Sequence, residues 1–285
     1  MGQQRPAALR SYRGKAVYIT GGSSGIGLEA ARQFASLGAD VAIFARGQAR
    51  LETALGVLEQ VRIDPGQRFR ARALDVTNAA AVRSTMAELV QELGAPTVLI
   101  NSAGSVTAGH FLETSSEQRD AVMATNFYGT WNTVAALVPY MLARGGNIVN
   151  ISSIAGLVGV FGYTAYAASK FAVTGFSEAL RSELKGQGIV VSCLCPPDTD
   201  TPQLAEDNRI KPPETRAISG TARVMRPAEV VRAMIRGMER GRAIITPGFG
   251  RIVFSAKRLV PGLVEASMDR DIRRVQSRRH ERKNA

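Results

Sequence analysis

Cysteine is scarce in this chain, which has only Cys193 and Cys195 among its 285 residues. Two cysteines are too few for a disulfide framework, and neither has the His or Cys partners that a zinc site needs. They lie two positions apart in a strand-like run, so both side chains are expected on the same face of a strand. We therefore expect two small apolar side chains in a reducing compartment.

Long apolar runs are also missing. No segment reaches the roughly 18 consecutive apolar residues of a membrane-spanning helix. The N-terminal MGQQRPAALRSYRGK has no apolar signal-peptide core, and Pro6 stands where a myristoylation signal has Ser or Thr. A composition of 45% hydrophobic and 21% charged residues excludes wholesale disorder. These features predict a globular cytoplasmic protein.

Positive charge is abundant, at a net +12, and it is unevenly distributed. Residues 251–285 hold ten Lys or Arg against four Asp or Glu, which is half of the excess. We predict a basic amphipathic tail that associates peripherally with the cytoplasmic membrane face, because apolar and basic residues together suit an anionic surface. A solvated tail without a partner is the alternative, and no motif indicates nucleic acid binding. The apolar residues of the tail include Ile252, Val253, Phe254, Leu259, Val260 and Leu263.

Short β-rich runs alternate with helical patterns along most of the chain. This alternation implies βαβ units and a mostly parallel sheet, and the near-continuous apolar strands imply helices on both of its faces. The segment 196–226 has no regular pattern, and its length predicts a functional or mobile loop. The predicted strands cover residues 15–20, 40–45, 68–76, 97–104, 147–153, 188–195 and 242–246. Helices are predicted, in chain order, at about 27–38, in the Leu- and Glu-rich stretch after the second strand, and at about 78–94, 117–143, 163–185 and 227–241.

The first predicted strand runs into TGGSSGIG, residues 20–27. Gly21, Gly25 and Gly27 allow a tight turn and a close approach to a phosphate, and the helix that follows directs its N-terminal N–H groups at the anion. The spacing differs from the standard three-glycine fingerprint, because three residues separate Gly21 from Gly25. The loop predicts a dinucleotide site, and its predicted cofactor-binding residues are Gly21, Ser23, Ser24, Gly25, Ile26 and Gly27.

The second predicted strand ends at Ala45-Arg46, with no acidic residue there. NAD sites commonly have Asp or Glu in this region to bind the ribose 2′-hydroxyl group. A guanidinium group suits a 2′-phosphate instead. Arg46 therefore favours NADP(H), although an ordinary surface arginine is the alternative.

Tyr166 and Lys170 lie four positions apart in the helical stretch YTAYAASK. Residues with this spacing share a helix face, and a nearby ammonium group would lower the pKa of a phenol toward the range of proton transfer. Ser153 ends the fifth predicted strand, where parallel α/β sheets place their active sites. Its hydroxyl is expected to hydrogen-bond a substrate carbonyl.

Five motifs follow one another in a fixed order: TGGSSGIG, NSAG, TNFYGT, a serine 13 residues before a tyrosine, and YAASK. Together they resemble the short-chain dehydrogenase/reductase family. The resemblance implies an α/β Rossmann-type doubly wound fold, with a seven-stranded parallel sheet flanked by helices in a single domain, 14–250. Residues 1–13 would be an N-terminal extension, and residues 251–285 the basic tail.

The same resemblance implies roles for individual residues. Ser153, Tyr166 and Lys170 would form the catalytic triad of a hydride transfer from NADPH that needs no metal, with Tyr166 as the proton donor. Tyr166 and Lys170 would also contact the cofactor, Lys170 at the nicotinamide ribose. Asn126 would hold a proton-relay water, and further cofactor contacts would come from Asp75, Val76, Asn101, Ala103, Gly104, Pro196 and Thr199.

The loop after the sixth predicted strand begins PPDTDTP. In the family this loop closes over the nicotinamide and the substrate, and a threonine contacts the carboxamide. Here Pro197 replaces the usual glycine, and the contact falls to Thr199 or, in a shifted register, to Thr201. Asp198 and Asp200 have a spacing that suits a divalent metal, a solvated turn, or a contact with a substrate amine.

The pieces PPDTDTP, AEDNR, KPPETRAIS and GVFGYTAY resemble the sphingolipid branch of the family. This resemblance implies NADPH-dependent reduction of the 3-keto group of a long-chain amino ketone. The alternatives are another ketone, such as a 3-oxoacyl thioester or a steroid-like ketone, and a non-catalytic NADP-binding module. A further alternative, a metal-dependent sugar transferase, is suggested only by the spacing of Asp198 and Asp200. The resemblance also predicts a homodimer or homotetramer paired through the long fourth and fifth helices.

Overall fold

The computed structural model describes residues 11–220 and 223–284, with side chains as far as residue 278. The predicted extension 1–13 therefore lies mostly outside the described residues. The described strands are β1 (Ala16–Thr20), β2 (Asp40–Ala45), β3 (Phe69–Ala73), β4 (Val98–Asn101), β5 (Gly146–Ile151), β6 (Ile189–Leu194) and β7 (Ile244–Ile245). The described α-helices are α1 (Gly25–Ser36), α2 (Gln48–Glu59), α3 (Ala79–Leu93), α4 (Ser116–Met123), α5 (Gly129–Met141), α6 (Thr164–Leu184), α7 (Pro202–Ile210), α8 (Pro213–Ser219), α9 (Pro227–Glu239), α10 (Gly250–Leu259) and α11 (Pro261–Asn284).

The seven strands form one parallel sheet in the order β3-β2-β1-β4-β5-β6-β7. Strand β1 pairs with both β2 and β4, so that Tyr18 lies opposite Ala42 on one side and Leu99 on the other. The strand order reverses between β1 and β4, and sheets of this kind bind ligands in the crevice at the carboxyl ends of such strands. The predicted Rossmann-type doubly wound fold is confirmed.

The two faces of the sheet carry separate apolar cores. One core packs α1, α2 and α9 on the sheet, and the other packs α3, α5 and α6. Successive residues of β1 alternate between them, with Val17 and Ile19 in the first core and Tyr18 in the second. Because both faces are covered, the strands have the continuous apolar runs seen in the sequence.

The helix predicted over 117–143 has an interruption. A π-helical turn, Ala124–Tyr128, joins α4 to α5. Such turns occur as single-turn bulges inside α-helices, frequently at functional sites. Asn126 lies at the centre of this turn and is buried.

The segment 196–226, called the lid below, differs from its predicted irregular structure because it contains α7 and α8. Thr201 caps α7, since its Oγ1 accepts a hydrogen bond from the Leu204 N–H (3.2 Å), and Pro202 is the first helical residue. A threonine cap followed by proline is a helix-start signal that a search for apolar periodicity overlooks. The two ends of the lid are joined, because Met225 N donates to the Asp198 carbonyl oxygen (2.9 Å).

The C-terminal part, predicted as a basic amphipathic tail, consists of α10 and α11. Among the described residues no helix is both long enough and apolar enough to cross a bilayer. The two cysteines are free and buried on β6 and just after it, with Cys193 Sγ 3.8 Å from Cys195 Sγ. Both side chains therefore lie on the same face, as predicted.

Candidate active site

Close backbone approaches shape the loop between β1 and α1. Gly21 has a φ of +66°, and a Cβ there would come within 2.7 Å of backbone atoms of Ser102 and Ala103. A Cβ at Gly27 would lie 2.3 Å from the Gly21 carbonyl oxygen, so this glycine lets α1 pack on the loop. Ser24 precedes α1 without capping it through its side chain, which leaves the first N–H groups of the helix available to a phosphate.

A cleft opens at the carboxyl ends of β1, β4 and β5, and the lid forms its opposite wall. Ten of the predicted site residues lie in its wall: Gly21, Ser24, Gly25, Ile26, Gly104, Ser153, Tyr166, Lys170, Pro196 and Thr199. The sequence analysis did not single out Val106, Ile151, Ser152, Pro202, Gln203, Leu204 and Asp207, which also line the cleft.

Asn101, at the end of β4, directs its side chain into the interior. Its Oδ1 accepts a hydrogen bond from Thr133 Oγ1 (2.5 Å), and its Nδ2 donates to Asn150 Oδ1 (2.8 Å). Asn150 Nδ2 in turn donates to Ser177 Oγ (3.0 Å), so the chain of buried hydrogen bonds links β4, β5 and α6. The Asn101 side chain thus fixes the strand ends that carry the site, and a cofactor contact of this residue stays a prediction.

The predicted cofactor residues Ser23 and Ala103 belong to loops beside the cleft but are not part of its wall. The two loops are tied together, because Thr20 Oγ1 accepts hydrogen bonds from the backbone N–H groups of Ser102 and Ala103, both at 3.2 Å. Cofactor contacts of Ser23 and Ala103 stay predictions.

Asn126 holds the loop after β4. Its Oδ1 accepts from Ser105 N (2.8 Å), and its Nδ2 donates to the Ser105 carbonyl oxygen (3.0 Å) and to Ser169 Oγ (2.9 Å). A Cβ at Gly104 would lie 3.2 Å from Asn126 Oδ1 and 3.6 Å from Lys170 Nζ, so the glycine permits this close arrangement. The Asn126 side chain is thus a positioning group, and a relay water held by this residue stays a prediction.

The predicted triad converges on the cleft from α6 and from the end of β5. Lys170 Nζ lies 5.7 Å from the centre of the Tyr166 ring and donates to the Ile151 carbonyl oxygen (3.0 Å). Ser153 Oγ accepts from Ala155 N (3.1 Å), and the Ser153 side chain also hydrogen-bonds Tyr166. The structure therefore brings Ser153, Tyr166 and Lys170 together as predicted.

The protonation of this group is set mainly by burial. Burial raises the pKa of Tyr166 above its ordinary value of 10.0, the hydrogen bond with Ser153 lowers it in part, and the charges of Asp207 and Asp198 raise it further. Burial also lowers the pKa of Lys170 to about 8. The expected lowering of the Tyr166 pKa by Lys170 is thus not found, since burial and the two aspartates outweigh the hydrogen bond with Ser153. The phenol is protonated at neutral pH, which is the state that a proton donor needs.

Two arginines lie where β2 passes into α2. Arg46 is exposed at the end of the strand. A Cβ at Gly47 would lie 3.3 Å from Arg50 Nε, so the Arg50 side chain folds back over the same loop. The sequence analysis missed Arg50, although its place four residues after Arg46 was a usable signal. The loop can present two guanidinium groups to a phosphate.

Asp75 and Val76 form the neighbouring loop after β3. Asp75 Oδ1 accepts from Thr77 N (2.9 Å) and Thr77 Oγ1 (2.8 Å). The Thr77 hydrogen bonds lower the pKa of Asp75, and the nearby charge of Arg46 lowers it further. The Val76 carbonyl oxygen accepts from Asn132 Nδ2 (2.9 Å). Neither Asp75 nor Val76 lines the cleft, and their contacts with an adenine stay predictions.

The lid presents two threonines to the cleft, and their roles differ. Thr201 uses its hydroxyl in the α7 cap, and a Cβ on Gly25 would lie 3.1 Å from Thr201 Cγ2, so the lid rests on the phosphate loop. Thr199 is buried and donates from Oγ1 to the Pro197 carbonyl oxygen (2.8 Å), which leaves its oxygen lone pairs for a ligand. Asp200 is exposed and lies outside the wall, so a contact with a substrate amine stays a hypothesis for this residue.

A largely buried ionic cluster forms part of the lid wall. Lys211 Nζ lies 3.1 Å from Asp198 Oδ2 and 3.0 Å from Asp207 Oδ2. The same Asp207 oxygen accepts a hydrogen bond from Tyr163 (2.5 Å), and the Tyr163 ring centre lies 5.3 Å from that of Tyr166. Asp198 thus pairs with a lysine, and among the described residues no group of three or more His, Cys, Asp or Glu side chains suits a metal ion. Apart from Asp198, the sequence analysis missed this cluster.

This geometry agrees with comparisons across known proteins. The sequence model described as short chain dehydrogenase matches residues 15–211. The chain belongs to the short-chain dehydrogenase family. The crystal structure of a short chain dehydrogenase/reductase from Burkholderia phymatum in complex with NAD is similar, with a TM-score of 0.77 at 24% identity over 90% of this chain and 96% of that chain. Levodione reductase is also similar, with a TM-score of 0.76 at 20% identity over 85% of this chain and 98% of that chain. At these identities the two structures show the fold alone.

Curated members of the family are similar at higher identity. A 3-dehydrosphinganine reductase from Danio rerio is 37% identical, over 83% of this chain and 71% of the relative. A 3-ketodihydrosphingosine reductase from Dictyostelium discoideum is 33% identical, over 85% of this chain and 81% of the relative. The 3-oxoacyl-[acyl-carrier-protein] reductase FabG from Chlamydia trachomatis is 34% identical, over 81% of this chain and 93% of the relative. This short-chain dehydrogenase is thus an oxidoreductase that acts on a ketone or alcohol.

Proposed function

We propose that this enzyme reduces the 3-keto group of 3-ketodihydrosphingosine to give dihydrosphingosine, with NADPH as the reductant. The observation that carries the proposal is the cleft, in which the protonated Tyr166 lies beside Ser153 and faces a lid that contains carboxylates. The similarity to relatives named 3-dehydrosphinganine reductase or 3-ketodihydrosphingosine reductase, at 33–37% identity, supports the substrate.

A nicotinamide dinucleotide fits the residues present. The cradle at Gly21, which a Cβ would fill, and the uncapped start of α1 suit a pyrophosphate. Arg46 and Arg50 suit the 2′-phosphate of NADP(H), and Lys170 suits the nicotinamide ribose. When bound, the cofactor supplies the hydride that reduces the carbonyl carbon.

The protein's own residues manage the proton. Ser153 hydrogen-bonds the carbonyl oxygen of the substrate and aligns it with Tyr166. Tyr166 donates its phenolic proton to that oxygen as negative charge develops there. The ammonium group of Lys170, fixed by the Ile151 carbonyl oxygen, then stabilises the phenolate that is left.

Two ketones distinguish this proposal from its nearest rival, a reductase of 3-oxoacyl thioesters. NADPH consumption is measured with 3-ketodihydrosphingosine and with an acetoacetyl thioester, and a steroid ketone is added as a third substrate. We expect a clear preference for the amino ketone in kcat/KM. A preference for the thioester would replace the proposed substrate, and an absence of turnover with all three would favour a non-catalytic NADP-binding module.

Helix α10 and the residues after it support the proposed peripheral membrane association. Leu259 and Leu263 expose 80% and 69% of their surfaces, and Ile252 exposes 62%, beside the basic residues of the same segment. Apolar and basic groups together would bind an anionic bilayer, from which a long-chain substrate comes. We propose that this binding is to the cytoplasmic face of the membrane. Removal of the chain after Gly250 should release the enzyme from anionic liposomes, and unchanged binding would refute the proposal.

Exposed aromatic side chains support the proposed pairing of subunits through the long helices around α5 and α6. Tyr128 and Trp131 are exposed near the start of α5, and Phe171 is exposed on α6. Burial of such residues in an interface with a second copy of the chain would remove apolar surface from water. Light scattering should give a dimer or tetramer, and the Trp131→Glu variant should shift it toward the monomer.

A further inference from the structure

We infer that Asp207 is the acceptor for the ammonium group of the amino-ketone substrate, and that Lys211, Asp198 and Tyr163 hold it in place. The inference rests on the proposed function, because it states how that substrate's amine is recognised. According to this inference, the lid is the part of the enzyme that distinguishes amino ketones from ketones without an amine.

The hydrogen bonding of Asp207 is incomplete. Its Oδ2 accepts from Tyr163 (2.5 Å) and lies 3.0 Å from Lys211 Nζ, whereas its Oδ1 is buried without a hydrogen-bond partner in the described part of the chain. The side chain is only 8% exposed, so solvent does not satisfy this oxygen. Buried carboxylate oxygens normally have partners, and a donor from a ligand would complete this one.

The charge of the cluster favours a cation. Asp198 and Asp207 are two carboxylates that share the single ammonium group of Lys211, so ionised side chains leave one negative charge unbalanced. The Lys211 side chain is only 1% exposed and cannot turn out to solvent without opening the lid. A substrate ammonium group would balance the charge and donate to the free oxygen in the same step.

The position of Asp207 matches the chemistry of the substrate. In 3-ketodihydrosphingosine the amine is on the carbon next to the keto group, so its acceptor must lie close to the proton donor of the reaction. Asp207 lies in the wall of the cleft that contains Tyr166. Tyr163 lies between the two residues, because its hydroxyl donates to Asp207 and its ring packs against the ring of Tyr166. The charges of Asp207 and Asp198 also act on the pKa of Tyr166, which reflects how near they are.

The lid offers a matched control for a test of this role. Glu206 precedes Asp207 on α7, is exposed, and pairs only with the exposed Arg209 among the described residues. The variants Asp207→Asn and Glu206→Gln each replace a carboxylate with the amide of the same shape. They therefore separate the charge of Asp207 from the general charge of the helix.

The test compares two ketones of equal chain length, 3-ketodihydrosphingosine and the same ketone without its amine. The readout is the ratio of their kcat/KM values for NADPH consumption. In Asp207→Asn we expect the ratio to fall by about tenfold or more, chiefly through KM of the amino ketone, because a hydrogen bond to a charged group is lost. Glu206→Gln should keep the wild-type ratio.

Other results would overturn the inference. If Asp207 only fastens the lid, Asp207→Asn will weaken turnover of both ketones equally and the ratio will not change. If the wild type reduces both ketones equally well, the inference fails although the proposed function stands. If it reduces neither ketone, the proposed function fails and the inference falls with it.

A measurement on the wild type covers the case in which Asp207→Asn does not fold. Inhibition by a long-chain primary amine is compared with inhibition by the alcohol of the same length, with the deaminated ketone as substrate. We expect the amine to inhibit at concentrations about tenfold lower than the alcohol. Equal inhibition would contradict an ammonium site in the cleft.

Discussion

The two walls of the cleft are held in different ways. The cofactor wall is shaped by backbone, since Gly21 and Gly27 permit contacts that any side chain would block. The lid wall is held by charged side chains, since Lys211 lies between Asp198 and Asp207. The glycines permit contacts within their own loop and with the loop after β4, whereas the ionic cluster joins side chains of the lid to Tyr163 at the start of α6.

This difference separates two functions of the enzyme. The cofactor wall and the triad can serve any ketone, because they act on groups that all substrates share. Under the proposed function, the lid wall would contact the part of the substrate that differs between ketones. Changes in the first wall should therefore alter catalysis as a whole, and changes in the second should alter stability of the lid and the choice of substrate.

The largest expected effect is at the proton donor. Tyr166→Phe removes the phenolic hydroxyl from the buried site and should lower kcat/KM by about 10²–10⁴-fold for every ketone. NADPH binding, measured by fluorescence titration, should remain, which shows that the cofactor wall is intact. Near-normal reduction by this variant would refute the assigned role of Tyr166.

The next effect is at the centre of the ionic cluster. Lys211→Met leaves two carboxylates without their buried cation, and breaking such a pair costs about 3–5 kcal/mol. We expect faster hydrogen exchange in α7 and α8 and a lower melting temperature. Arg209→Met breaks an exposed ion pair on the same helix and should have almost no effect. Equal results for the two variants would mean that the cluster does not hold the lid.

A smaller effect is the pH dependence of stability that Lys170 causes. Its pKa is about 8 in the folded protein and 10.5 by its ordinary value, so between these pH values the unfolded chain binds more protons. The free energy of unfolding of the wild type, compared with Lys170→Met, should therefore rise with pH in that window by at most about 1.4 kcal/mol per pH unit. Below pH 8 the wild type carries the full cost of burying the ammonium group, so the difference between the two proteins should no longer change with pH. A difference that is flat through the window, in urea unfolding, would contradict the lowered pKa.

The smallest effect is cofactor discrimination. Arg46→Ala should weaken NADPH binding by about tenfold, since one charge-assisted hydrogen bond is lost, and should leave NADH binding almost unchanged. Arg119→Ala, which removes an exposed arginine paired with Asp120, is the control. If both cofactors weaken equally, Arg46 does not contact a 2′-phosphate.

Sequence reasoning reached the cofactor wall because its signals are local. The order of strands and helices, the glycine loop and the spacing of Ser153, Tyr166 and Lys170 were all predicted, and the structure brings the three side chains to one cleft. Asn101 shows the limit of this reasoning. Its position at the end of β4 was predicted, but the direction of its side chain depends on Thr133 and Asn150 from other elements.

The lid was predicted less well, for a physical reason. Its helices have little apolar periodicity, so they were expected to be irregular, although Thr201 and Pro202 carry a local start signal. The meeting of Tyr163 and Asp207 joins residues 44 positions apart on α7 and at the start of α6. No spacing rule links such residues. Asp200, which the sequence offered as a possible contact with a substrate amine, is an exposed residue of the lid.

The most direct test of the proposed reaction follows the hydride into the product. The enzyme is given 3-ketodihydrosphingosine and NADPH deuterated at the transferred position, and the product is analysed by mass spectrometry. We predict dihydrosphingosine with deuterium on the carbinol carbon that was the keto carbon. A product without deuterium at that carbon, or an unchanged amino ketone beside a reduced thioester in the parallel reaction, would contradict the account.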